Sequence, residues 1–402
     1  MARFEPFRGT TYDPDRVVAD DVIAPPYDVV SAASRQQLAT RSPYNAIHVE
    51  LPVPDPDAGR DAYENAASIF DRWHAEGTVR VGERPAYYVY RMTFREEDGS
   101  LRATTGVLGA LGLDPDHRGD VLPHEQTTSK DKHDRLSLLR SARTNFSPIW
   151  GLAVGDGLSS ACVAAIPDAG EPWSATDDSG VLHERFTVTD PDLIGRISAA
   201  VGGAPVLIAD GHHRYETACT YWSENPSVPG SDLVLALVVE LAEEQLAVQA
   251  IHRLWSNVDD RALPQLLTRH FEVTEGPADP IALRDTMGEV GALGLITRSG
   301  SWLLRPTEAL EAAAPDDLDS SRLAFALQDL GIDPGAVTFQ HGATIVRDAV
   351  LSGEANAAVL LRPVSIAQIA RTARGGSRMP PKSTFFHPKP RTGVVFRELD
   401  PS

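Results

Sequence analysis

PVLIADGHHRYETA, residues 205–218, joins a short apolar run to a polar, helix-forming run through one Asp-Gly step. Val206 to Ala209 predict a short buried strand, and the residues after Gly211 predict a helix. At a helix N-terminus the free backbone N–H groups and the dipole favour an anion. Gly211 lets a bulky ligand approach the main chain. Arg214 is the residue type that grips phosphate oxygens with a planar fork, and His212 and His213 add donors that titrate near neutral pH. Asp210, ending the strand, is suited to hold Mg²⁺ or to take a proton from an attacking hydroxyl. An ordinary Asp N-cap explains Asp210 and Gly211, but not two histidines and an arginine in succession. Neighbouring helix residues point about 100° apart, which argues against zinc on the histidine pair.

Outward from this junction the pattern alternates. DPDLIGRISAAVG (190–202) predicts a helix capped by Asp190 with Pro191 in its first turn, and LVLALVV (233–239) a strand buried on both faces. AYYVYRMTF and RATTGVLGALGL predict two strands about the turn EEDGS, and GRDAYENAASIFDRWHAEG a helix stopping at Gly77. GVLGALG is not the G-x-G-x-x-G fingerprint, so no dinucleotide site is read there. From about Val258 helical and strand-like runs restart. The expected architecture is α/β with a mixed sheet and a second α/β lobe, divided as residues 1–257 and 258–402.

The chain has 402 residues, 42% hydrophobic and 23% charged, enough for two globular cores. Cys162 and Cys219 form no CxxC pattern, which points to a reducing compartment. MARFEPFRGTTYDP holds no apolar signal segment, and LVLALVV is far too short to span a membrane. A cytoplasmic protein with no membrane partner is the expectation. A net charge of −19, with no Lys/Arg-rich helix-turn-helix, leaves no DNA-binding motif. Yet Ala355 to Arg397 contain no Asp or Glu and eight basic residues, so a solvated positive face competes with an anion site.

Within that stretch, MPPKSTFFHPKPRTG places Lys382, Ser383, Thr384 and Lys389 on a Pro-stiffened strap. It is not a P-loop, because Pro381 stands where the motif needs Gly. LPHEQTTSKDKHDRLSLLRSARTNFSPI is a second candidate. Glu125, with Lys130 close behind, suits a metal ligand or base, and His124 and Asn145 suit substrate contacts. A polar, ion-paired surface helix is the plainer reading of that segment. APPYDVVS sets Tyr27 and Asp28 on a rigid turn, facing either a substrate or the core.

Gly211, Arg214, Tyr215 and Ala218 make G-x-x-R-Y-x-x-A, which resembles the phosphate-binding box of the ParB fold. That fold includes nucleotide switches, sulfiredoxin-like enzymes and free-serine kinases, and Asp210-Gly211-His212 is more similar to the kinase version. APPYDV, SPYNAIHVELP, LPHEQT, NFSPI, ADGHHRYETA and MPPKSTFFHPKPRTG, in this order, resemble the family catalogued as domain of unknown function 1015 across nearly the whole chain. The kinase resemblance implies a ParB-like central core and a nucleotide-dependent phosphotransferase: a small-molecule kinase using ATP or ADP and Mg²⁺, with a hydroxyl metabolite such as free serine as acceptor. Gly211, His212, His213, Arg214, Lys382 and Lys389 would hold phosphates, and Asp210 or Glu125 would serve as base or metal ligand. A ParB-like nucleotide switch and a phosphatase for small phosphate esters are the rival readings, and a homodimer is left open.

Overall fold

The computed structural model describes residues 1–400 apart from 97–98, 117, 123–128, 334, 336, 376–378 and 381. The chain divides into two compact units. Met1–Leu246 joined by Pro388–Ser402 form one, and Ala247–His387 the other. The division thus falls after Leu246 rather than at 257/258. His252–Trp255 pairs inside the second sheet, and the chain end returns to the first unit.

The first unit is built on a mixed nine-stranded sheet. Its main path runs Val121–Leu122, Val206–Asp210, Ile149–Ala153, Leu233–Glu240, Leu101–Gly112, Tyr87–Arg95, Leu182–Val188 and Trp173–Thr176. Leu233–Glu240, the uninterrupted apolar run, lies near the middle. It runs parallel to Ile149–Ala153 and antiparallel to Leu101–Gly112. Helices Leu158–Ala165, Pro191–Gly202 and His212–Glu224 contribute Cys162, Ile197 and Tyr215 to a core with Val107, Ile149, Val206 and Val238. Asp190 caps Pro191–Gly202 through the N–H groups of Asp192 and Leu193, as its position predicts. The glycines of GVLGALG serve packing: a Cβ on Gly109 would overlap the Phe4 ring.

A second core in this unit gathers Tyr12, Ile47, Phe70, Trp73, Phe146 and Phe396 around helix Ala62–Ala75, which begins with a reciprocal Asp61/Glu64 capping box. Because Phe396 and Ala24 share this core, the chain end and the APPYDV region belong to one packed body.

The second unit has an antiparallel six-stranded sheet: Phe271–Glu275, Gly300–Pro306, Leu293–Thr297, Ala357–Leu360, His252–Trp255 and Val337–Gln340. Period-2 alternation sends Leu254, Ala358 and Leu360 to one core, with helices Pro280–Val290 and Ala343–Ser352. It sends Trp255, Ala357 and Val359 to another, with Asp319–Asp329. Mixed α/β architecture is therefore established for the chain. Among the described residues no helix is long and apolar enough to cross a membrane.

Candidate functional site

Strand Val206–Asp210 passes into helix His212–Glu224 through Gly211 alone. Gly211, not Asp210, is the N-cap, with φ 89° in the left-handed region that a side chain would strain. The strand's register against Ile149–Ala153 shifts between Ile208 and Asp210, so an extra residue is accommodated there. A bulge of this kind re-aims the following side chain, and Asp210 meets cations instead of continuing the apolar face of Val206 and Ile208.

Those cations come from different parts of the first unit. Lys389 Nζ donates to Asp210 Oδ1 at 2.7 Å and to Asp28 Oδ2 at 2.9 Å. Arg214 Nη2 donates to Asp210 Oδ2 at 2.9 Å, and its Nη1 to the Pro148 carbonyl. Burial alone would raise the Asp210 carboxyl. The charges of Lys389 and Arg214, with the Lys389 hydrogen bond, more than offset it and hold the group well below the usual carboxylate range. Lys389 is shifted up: burial opposes its charge, but Asp210 and Asp28 outweigh burial.

Tyr27 lies beneath Arg135, whose guanidinium carbon is 4.2 Å from the ring centroid. Burial raises its hydroxyl to about 12, against the opposing pull of Arg214 and Arg135. Buried Glu50 accepts from Ser147 Oγ at 2.9 Å, and its carbonyl accepts Arg135 Nη1 at 2.8 Å. Arg214, Arg135, Glu50, Asn145, Ser147 and Thr217 line a half-open cavity of about 40 Å³, room for ordered water. Arg214 Nε and Thr217 Oγ1 are buried there without hydrogen-bond partners among the described residues.

Arg391, two positions after Lys389, is clamped in turn. Arg391 Nε donates to Asp177 Oδ2 at 2.8 Å, and the same oxygen meets His183 Nε2 at 2.9 Å. The ring's Nδ1 lies 2.7 Å from the hydroxyl of Tyr90. Burial raises Asp177, but His183 and Arg391 pull it far below the ordinary carboxylate range, while burial lowers His183.

Of the residues expected at a site, the structure brings together Asp210, Gly211, Arg214, Lys389, Asp28 and Tyr27, with His212 close enough to help lower Asp210. Gly211 does not present an open face: a Cβ there would lie 3.1 Å from the Arg214 guanidinium and from Ile149. Arg214 is therefore folded back over the junction and spent on Asp210 and Pro148, rather than presenting a free fork. Asn145 Oδ1 is committed to Leu235 N and Arg397 Nη1, both at 3.0 Å, which ties strands together. Lys382 belongs to the second unit, at φ 58°, its carbonyl held by Arg253. His124 and Glu125 lie outside the described residues, as does the side chain of Lys130 in helix Ser129–Ala142. Glu50, Arg135, Asp177 and Thr217 were not singled out by the sequence reading.

The profile of the family described as "Protein of unknown function (DUF1015)" matches residues 4–321, most of the chain. The chain belongs to the DUF1015 family. No curated protein matches this DUF1015 member. Solved structures similar to it include a free serine kinase in complex with AMP: 14% identity, TM-score 0.36, covering 66% of this chain and 83% of that one. A conserved hypothetical protein from Pyrococcus furiosus is similar at 13% identity and TM-score 0.36, over 66% and 87%. C-terminally truncated SbnI from Staphylococcus aureus is similar at 12% identity and TM-score 0.39, over 71% and 85%. At this overlap no residue role follows from them.

Proposed function

We propose that this DUF1015 protein is a nucleotide-dependent phosphotransferase, a small-molecule kinase that moves a phosphoryl group from ATP or ADP to the hydroxyl of a metabolite. The observation that supports it is Lys389 held between Asp210 and Asp28 at the start of helix His212–Glu224. Phosphoryl transfer needs charge neutralisation around the phosphates and a group that orients the nucleophile. Lys389 and the N–H groups of His212 and His213 serve the first need, and Asp210 the second. Arg214 acts first as the clamp that fixes Asp210. Glu125 remains a candidate for base or metal ligand.

The ion cluster couples binding to basicity. A phosphate arriving at Lys389 competes with Asp210 and Asp28 for the ammonium. Among the charges that hold Asp210 low Lys389 is the strongest, so losing it to a phosphate makes Asp210 a better proton acceptor. Asp28 and Asp210 converge on one nitrogen, and as hard oxygen donors they would hold Mg²⁺. Among the described residues no cluster of three His, Cys, Asp or Glu side chains would hold a metal by protein alone. Mg²⁺, when bound, would supply charge neutralisation on the phosphates. Free serine as acceptor and a ParB-like core rest on the sequence resemblance.

The test is to incubate the full chain with ATP or ADP, Mg²⁺ and a pool of hydroxyl metabolites including L-serine, and to follow phosphate esters by mass spectrometry. A new monophosphate ester that grows with enzyme supports the kinase. Inorganic phosphate release with no ester in any pool refutes it in favour of a hydrolase.

A further inference from the structure

A cavity of about 610 Å³ is lined wholly by residues of the second unit, within the range that takes a small metabolite. Three arginines line it: Arg305 is exposed, with Glu272 3.9 Å away, and the other two are used differently. Arg362 is spent on buried Asp319: its Nε lies 2.9 Å and its Nη2 2.6 Å from the carboxylate oxygens, and its backbone N–H donates at 3.0 Å. Arg322, with a side chain only 12% exposed, has one good acceptor, the Asp317 carbonyl at 2.9 Å from Nη1. Its distances to Asp319 and Glu311 are 3.4 and 3.5 Å, and its Nε is buried without a partner among the described residues. A buried guanidinium with unspent donors costs stability unless an acceptor completes it.

The rest of the lining decides which acceptor. Glu308 and Glu311 stand on the short helix Glu308–Ala313 in the same wall, and Glu311 is 55% exposed. A simple anion approaching Arg322 meets their repulsion. A simple cation leaves Arg322 incomplete. A ligand with an ammonium and a carboxylate on one carbon answers both charges at once.

We propose that this cavity binds a small free α-amino acid, its carboxylate at the Arg322 guanidinium and its ammonium on Glu311 and Glu308. Val290, Pro306 and Val364 offer the side chain apolar contact. This site does not depend on the phosphotransferase reading, and none of its residues belongs to the Asp210 cluster.

Isothermal titration calorimetry on the full chain, with the L-amino acids one at a time, tests it. For each binder, the decarboxylated amine and the N-acetyl derivative are titrated as well. At least one amino acid binds at one site per chain, and both derivatives bind at least tenfold more weakly. Arg322→Gln and Glu311→Gln each weaken binding at least tenfold, while Lys389→Met leaves it unchanged. Glu311→Gln, at an exposed carboxylate, carries the test if Arg322→Gln fails to fold. Absence of binding by every amino acid overturns the proposal. So does binding that survives Glu311→Gln but disappears in Lys389→Met, or an amine derivative that binds as well as its parent.

Discussion

Lys389 Nζ lies 2.7 Å from Asp210 Oδ1, although 179 positions separate them in the chain. The contact draws the chain end onto the strand-to-helix junction, and Asp28 completes it from the other end of the sequence. Removing the cation leaves half-buried Asp210 with Arg214 alone, and exposed Asp28 without its ammonium. Lys389→Met is expected to cost about 3 kcal/mol of stability, and Asp28→Asn in the same chain to return part of it. Urea unfolding at pH 7 of the single and double variants reads both values. Additive losses would mean that the three groups do not act as a cluster.

Asp210→Asn keeps the shape and removes charge and basicity. Turnover is expected to fall at least a hundredfold while nucleotide affinity changes less than tenfold. Glu125→Gln has the same expectation if Glu125 is the base or holds the metal. Steady-state kinetics beside nucleotide titration separate the two carboxylates: the variant that keeps its rate is excluded from the chemistry.

Acid should weaken the second unit through a buried histidine. His252 is buried with its Nδ1 accepting from Leu361 N, and burial, helped by Arg253 and His341, lowers it to about 4. Its folded value lies below the unfolded one near 6.5, so below pH 6.5 the unfolded chain binds the extra proton. Stability is complete above that pH and is lost as pH falls toward 4, by roughly 3 kcal/mol. His252→Asn keeps an acceptor without titrating, so the stability gap between wild type and variant should narrow over that window. A gap independent of pH would show that His252 titrates alike folded and unfolded.

The junction was legible because its signals are local: an apolar run, a Gly step, a helix-forming run. The basic, acid-free C-terminal stretch pointed to Lys389 through charge balance. It could not separate Lys389 from Lys382, which the fold assigns to a different unit. The shift between Ile208 and Asp210 was hidden, since a bulge depends on the partner strand. Glu50, Arg135 and Asp177 were missed for a related reason. Each reads alone as an ordinary surface charge and gains meaning only from partners such as Ser147, Tyr27 and Arg391. Arg214 was recognised as central but read as an open fork, because its bond to the Pro148 carbonyl leaves no trace in composition.

Arg214 also separates an enzyme from a switch. Arg214→Ala is expected to loosen Asp210 and to weaken nucleotide binding, with Arg214→Lys recovering only part, because an ammonium cannot reach Asp210 and the Pro148 carbonyl with a planar fork. In an enzyme, turnover stays low at saturating nucleotide, since the displaced Asp210 still fails in the transition state. Wild-type turnover restored at saturation would reduce Arg214 to a binding role.

The phosphotransferase reading is tested most directly by ³¹P NMR of the full chain with ATP or ADP, Mg²⁺ and hydroxyl acceptors including L-serine, run beside Asp210→Asn and Lys389→Met. The account predicts a phosphomonoester resonance that grows with the wild-type protein, is lost with Asp210→Asn, and is slowed with Lys389→Met. Ester formation by Asp210→Asn at the wild-type rate, or no ester from any acceptor with the wild-type protein, would contradict it.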